Sequence, residues 1–186
     1  MMNEKFVLGL AGMPGSGKSI VVNVAKESGY GAVVMGDEVR NEAKKRNMQP
    51  TPESLGKIML ELRQLEGEAA IAKRCIPKIE REEKHRIIVD GVRSLSEVEE
   101  FKKHFHSFVL IAVHASPETR FRRLYHRQRS DDPKNWKIFR ERELRELRVG
   151  LGNVIATADY MILNEERLKF VKDKVRKTLR RIDRNG

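Results

Sequence analysis

Eight residues, Gly12 to Ser19 (GMPGSGKS), restrict this chain more than any other stretch. They fit the spacing of glycine, four free positions, glycine, lysine and then serine or threonine. Such a stretch works only between a buried strand and the start of a helix, and its flanks agree. Phe6-Val7-Leu8-Gly9-Leu10-Ala11 is a short apolar run suited to a fully buried strand, and Ile20 to Lys26 continues as a helix until Ser28-Gly29. Gly12, Gly15 and Gly17 let the backbone turn its N–H groups inward, with Met13, Pro14 and Ser16 completing the loop. The partial positive charge of the helix N-terminus adds to those donors, so the stretch predicts a seat for polyphosphate. Lys18 is expected to reach the β- and γ-phosphates of a bound nucleotide, and the Ser19 hydroxyl to ligate Mg²⁺.

The remainder alternates strands with helices. Ala32 to Met35 reads as a second strand ending at Gly36-Asp37, followed by a helix from Glu38 to about Arg46. Asn47-Met48-Gln49-Pro50 breaks that helix, and Thr51-Pro52 starts another with a cap and a first-turn proline. It runs to about Glu83 with a possible break at Gly67, and Leu55, Ile58, Met59, Leu62 and Leu65 form one apolar stripe for packing. Ile87 to Asp90, Phe108 to Val113 and Tyr160 to Leu163 are the remaining strands. Helices are expected from Ser96 (a capping box with Glu99), from Ser116-Pro117, from Lys134 to Arg148, and from Glu165 to about Arg184. Ser130-Asp131-Asp132-Pro133 separates the second and third of these. The pattern predicts an α/β fold of three layers, a five-stranded parallel sheet covered by helices on both faces. Ligands should lie at the carboxyl ends of its strands, where Gly12, Asp37, Asp90, His114 and Asn164 fall. Asp90 ends a buried strand, where a carboxylate needs solvent or a partner, and Mg²⁺ is the partner that suits this loop.

At 186 residues the chain suits one domain. Its single cysteine, Cys75, excludes an intrachain disulfide, and no apolar run is long enough for a membrane span. With the first strand reached within a few residues and no room for a signal peptide, a cytoplasmic protein is expected. The formal net charge of +11 has two readings: arginines that neutralise nucleotide phosphates, or a nucleic-acid surface, which is not favoured. Basic residues are densest from Arg120 to Arg148, where they alternate with glutamates as on a solvated, ion-paired helix face. The five histidines show no metal-ligand spacing.

Gly12–Ser19, Gly36-Asp37-Glu38-Val39-Arg40 and Asp90-Gly91-Val92-Arg93 together resemble the nucleoside monophosphate kinases, adenylate kinase among them. Ala158 to Asn164 before the last helix looks more like dephospho-coenzyme A kinase, and the whole chain is similar to an archaeal family of P-loop kinase-like proteins related to both. The resemblance implies a P-loop NTPase fold using ATP and Mg²⁺. It divides the domain into a core (1–46, 84–129 and 150–186), a helical acceptor-binding insertion (about 47–83) and a short lid (about 130–149). It implies that Asp37 lies near the metal or the acceptor, that Arg40 and Arg93 hold the acceptor's phosphate, and that Asp90 orients the metal. Arg123 and Arg127 match a pair at the base of the lid, and Arg140 and Arg142 resemble lid arginines closing on the transferred group. Arg93 stands three residues after Asp90, one fewer than is usual in the motif, and the lid has no cysteine set for zinc.

The expected function is ATP-dependent phosphoryl transfer to a nucleoside monophosphate-like acceptor. The alternatives are transfer to a sugar hydroxyl, with Asp37 as general base, and a nucleotide-dependent RNA- or protein-binding ATPase. Like charges on Arg123, Arg127, Arg140 and Arg142 are expected to hold the lid open without phosphate. Oligomeric state is not legible.

Overall fold

The computed structural model describes residues 5–129 and 132–185; Ser130 and Asp131, half of the expected break before the lid, lie outside the described residues. The strands are β1 (Phe6–Ala11), β2 (Gly31–Val34), β3 (Arg86–Asp90), β4 (Ser107–His114) and β5 (Tyr160–Leu163). The helices are α1 (Lys18–Glu27), α2 (Met35–Lys45), α3 (Pro52–Glu66), α4 (Ala70–Arg81), α5 (Leu95–His104), α6 (Pro117–Arg127), α7 (Trp136–Val149), α8 (Leu151–Ala156) and α9 (Leu168–Asn185). The strands pair in parallel in the order β2-β3-β1-β4-β5, as an α/β sheet should when helical crossovers join its strands.

All six residues of β1 are buried, which suits the central strand: Leu10 lies opposite Asp90 on one side and Ile111 on the other. Alternation along the strands then feeds two cores. Leu8, Leu10, Ile88, Ile111 and Ile162 pack under α1 and α9. Val7, Ala11, Val33, Ile87 and Val89 pack with buried residues of α2, α3, α4, α5 and α8. α6 lies against the glycine loop, since a Cβ on Gly15 would meet the backbone of Arg120 and the side chain of Leu124. α7 joins α6 through a cluster of Phe121, Trp136 and Phe139. No described helix is long and apolar enough to cross a membrane.

Several boundaries differ from expectation for physical reasons. β2 ends at Val34, and Met35 already belongs to α2, so Asp37 and Glu38 occupy the first helical turn, where negative charge is favoured. The cap of α5 is Ser94 rather than Ser96, because Glu97 folds back on Ser94 and completes the box there. α9 starts at Leu168; Glu165 is diverted to accept hydrogen bonds from Ser116 N–H and from Thr119 Oγ1 at 2.8 Å. Within the expected insertion, the break does fall at Gly67, but the two halves differ. α4 buries Ile71, Cys75, Ile76 and Ile79 in the core, whereas α3 stands further out, with Leu65 at its end 79% exposed. The stripe on α3 divides likewise: Ile58 and Leu62 are core, while Leu55 and Met59 line a cavity.

Candidate active site

The Gly12–Ser19 loop crosses the carboxyl edge of the sheet between β1 and α1. Gly17 is the residue before α1, at φ 95°, and no side chain caps that helix, whose first turn holds no acidic residue. A helix end of that kind leaves N–H donors for an anion. The loop is pinned from the far end of the chain. Asn164, buried just after β5, donates from Nδ2 to the Ser16 carbonyl at 2.7 Å, and its backbone N–H binds the His114 carbonyl at 2.8 Å. Only glycine fits beside it, because a Cβ on Gly17 would lie 2.0 Å from Asn164 Nδ2. Arg123 braces the same joint, donating to the Asn164 carbonyl at 3.0 Å and to its Oδ1 at 3.3 Å.

Lys18 donates from Nζ to the Gly12 carbonyl at 2.7 Å. Burial pushes its ammonium below the ordinary lysine range, Asp90 pulls it back, and Arg93 pushes it down again. Asp90 Oδ1 is buried with no hydrogen-bond partner among the described residues. A carboxylate oxygen left so beside a phosphate loop, with the Ser19 hydroxyl exposed on the first turn of α1, fits Mg²⁺ chemistry.

A cavity of about 200 Å³ opens beside the loop, between α2, α3, the β3–α5 turn and α7. Arg93, Glu146 and Arg142 line it, and all three act on the Lys18 charge. Arg40 lines it too, paired with Asp37 at 2.7 Å, with both side chains about half exposed. Asp37 itself is not among the lining residues. Arg93 reaches Glu146 at 3.2 Å, an ion pair that joins the β3–α5 turn to α7.

The fold thus gathers Lys18, Asp90, Arg93 and Arg142 at one place. The other expected lid arginines are engaged elsewhere. Arg127 holds Asp132 through two hydrogen bonds of 2.9 and 2.6 Å, and Arg140 holds Glu143 at 2.6 Å. Arg142 lies 3.9 Å from Asp132. Carboxylates thus offset the charge of Arg127, Arg140 and Arg142 without phosphate, while Arg123 is held by carbonyl and amide oxygens.

Sequence reading passed over four participants: Asn164 as the loop's clamp, and Arg63, Glu143 and Glu146. Glu143 is buried against Arg120, which also lies 5.4 Å over the Phe139 ring. A signal existed. Phe139, Glu143 and Glu146 follow at four and three residues, placing two carboxylates on the face that an aromatic side chain turns inward. Asn164→Ala should lower the melting temperature by roughly 3–10 °C. It leaves the buried Ser16 carbonyl with only the 3.5 Å bond from Arg123, at a cost of about 1–3 kcal/mol, and each kcal/mol moves a chain of this size by about 2–4 °C. Scanning calorimetry checks this, and an unchanged transition would mean the clamp is idle.

A family model described as an AAA domain matches residues 11–140. A UPF0200 protein of Hyperthermus butylicus is 45% identical over 183 residues, covering 98% of both chains. Among solved structures, shikimate kinase from Acinetobacter baumannii superposes with TM-score 0.59 at 16% identity, covering 98% of this chain and 95% of the other. A gluconokinase from Sinorhizobium meliloti gives 0.58 at 15%, covering 100% and 97%. These likenesses show a P-loop kinase-type fold.

Proposed function

Because the chain belongs to the UPF0200 family and carries an AAA-domain core, we propose that it is a phosphotransferase. It moves the γ-phosphoryl group of ATP from the Gly12–Ser19 loop to a small anionic acceptor of the nucleoside monophosphate type in the adjoining cavity. The observation that carries this reading is the meeting of two sites at one lysine: Lys18 rises from the phosphate loop and feels Arg93 and Arg142 of the cavity. The loop's N–H groups and Lys18 hold the donor, Arg40 and Arg93 hold the acceptor's anionic group, and Arg142 covers the gap between them from α7. Ser19 and Asp90 are the residues that would hold Mg²⁺, which supplies positive charge to the donor's phosphates when bound. Phosphoryl transfer asks the protein for position and charge rather than covalent chemistry, and this constellation offers both. A monophosphate oxygen needs no general base, which fits an Asp37 already committed to Arg40.

A second reading, a nucleotide-dependent RNA-binding ATPase, draws on one observation: Lys177, Arg180, Arg181 and Arg184 form a basic strip on α9. One assay separates the two. The protein is incubated with Mg·ATP and, separately, each nucleoside monophosphate, dephospho-coenzyme A, shikimate and RNA, and products are read by mass spectrometry. A phosphorylated monophosphate is expected. ATP hydrolysis stimulated only by RNA would overturn the transferase reading in favour of the second.

A further inference from the structure

The cavity beside the loop has an unusual inventory. Its walls include Met35, Val39, Leu55, Met59 and Val149, and its polar lining among the described residues consists of arginines and two glutamates, with no hydroxyl or amide side chain. Three of those charged residues are almost wholly buried: Glu97, 1% exposed, and two that each hold an unmet polar atom. Arg63, 5% exposed, reaches from α3 to Glu97 at 2.8 Å, yet its Nε has no hydrogen-bond partner among the described residues. Glu146, 9% exposed, accepts from the Arg93 guanidinium at Oε1, yet its Oε2 has no such partner. The two are ends of one chain of contacts: Arg63 binds Glu97, Glu97 Oε2 accepts the Arg93 backbone N–H at 2.7 Å, and the Arg93 guanidinium binds Glu146.

A buried donor and a buried acceptor left unmet cost stability unless something in the cavity meets them. The molecule that does so must carry both an acceptor and an N–H or O–H donor. It must also set an apolar body against methionine, valine and leucine side chains, which a polyol cannot do without stranding its hydroxyls. A nucleobase meets all three demands, with a flat apolar face and an edge that carries a donor and an acceptor. We infer that Arg63 and Glu146 read the base edge of the acceptor nucleotide, and that Glu146 is the specificity-determining residue of the cavity. Its Oε2 takes a hydrogen bond from the base while its Oε1 keeps Arg93 placed for the phosphate. The inference rests on the phosphotransferase reading for the acceptor's phosphate, but makes its own claim about the base.

Equilibrium binding without ATP separates the two claims. Calorimetry with AMP, CMP, GMP, UMP and ribose 5-phosphate compares acceptors with and without a base on the same phosphate. At least one nucleotide is expected to bind the unaltered protein about tenfold or more tightly than ribose 5-phosphate, the return on a hydrogen bond to a charged group. In Glu146→Gln that ratio is expected to fall by about tenfold or more. The amide oxygen stays with Arg93, which leaves an NH₂ donor facing the base's own donor. Equal binding of ribose 5-phosphate and every nucleotide overturns the inference, and this arm needs no variant. So does a Glu146→Gln protein that weakens all five ligands by one common factor, which is the mark of a merely structural role. Nucleotides that bind with the expected ratio but accept no phosphoryl group from ATP would defeat the phosphotransferase reading and leave the base-reading intact.

Discussion

Lys18→Ala should slow phosphoryl transfer by about 10²–10³-fold, the usual effect of removing one aligned donor from a transition state, and should leave the fold in place. The two halves of that expectation come from the same geometry. Without nucleotide, the Lys18 ammonium has one hydrogen bond, to the Gly12 carbonyl at 2.7 Å, and its burial works against its charge. Truncation therefore removes a costly buried cation together with a modest bond, and stability changes little. With nucleotide bound, the same ammonium is the cation placed between the loop and the arginines of the cavity. Thermal unfolding, nucleotide binding and turnover measured on the one variant test both halves. A variant with full turnover would mean that the donor does not lie on this loop.

Asp90→Asn carries the second large effect, about 10²-fold or more on turnover, with a higher Mg²⁺ concentration needed for half-maximal rate. Asn keeps the shape of the side chain and removes its charge. The buried Oδ1 then no longer offers a carboxylate to a cation. Lys18 also loses Asp90, the strongest influence holding its ammonium up, and shifts further below the ordinary lysine range. Both changes weaken charge neutralisation at the phosphates, from two directions. The Mg²⁺ titration distinguishes them: a slower rate with an unaltered Mg²⁺ requirement would assign Asp90 to Lys18 alone and remove it from the metal's surroundings.

The parts of this site that were readable in the sequence are those whose local chemistry allows one answer. A glycine loop between a buried run and a helix has few places to go, and an Asp at the end of Ile87-Ile88-Val89 has few reasons to be there. The parts that were not readable depend on partners distant in the chain. Glu146 sits in an Arg-Glu alternation that has the composition of a solvated face. It is nonetheless buried, and its ion-pair partner, Arg93, stands 53 residues earlier. Arg63 falls outside the apolar stripe of α3, and the partner that goes with its burial, Glu97, lies 34 residues further on. The cap of α5 was misread for a related reason. Ser96-x-x-Glu99 and Ser94-x-x-Glu97 are equally good boxes on paper, and tertiary demand on Glu97 from Arg63 and the Arg93 N–H decides between them. Local pattern located the glycine loop, Asp90 and the cavity's Arg40 and Arg93, and packing added Arg63 and Glu146.

The bond between Asn164 and Ser16 spans 148 residues. A ribosome releases the glycine loop well before the side chain that pins it, which emerges only after β5. Until β5 has paired along β4, the Ser16 carbonyl lacks its shorter bond, the 2.7 Å one from Asn164. Long-range contacts form late in synthesis, and this one ties the residues after β1 to the residue after β5. The shape of the loop is therefore a property of the assembled sheet rather than of the Gly12–Ser19 stretch alone.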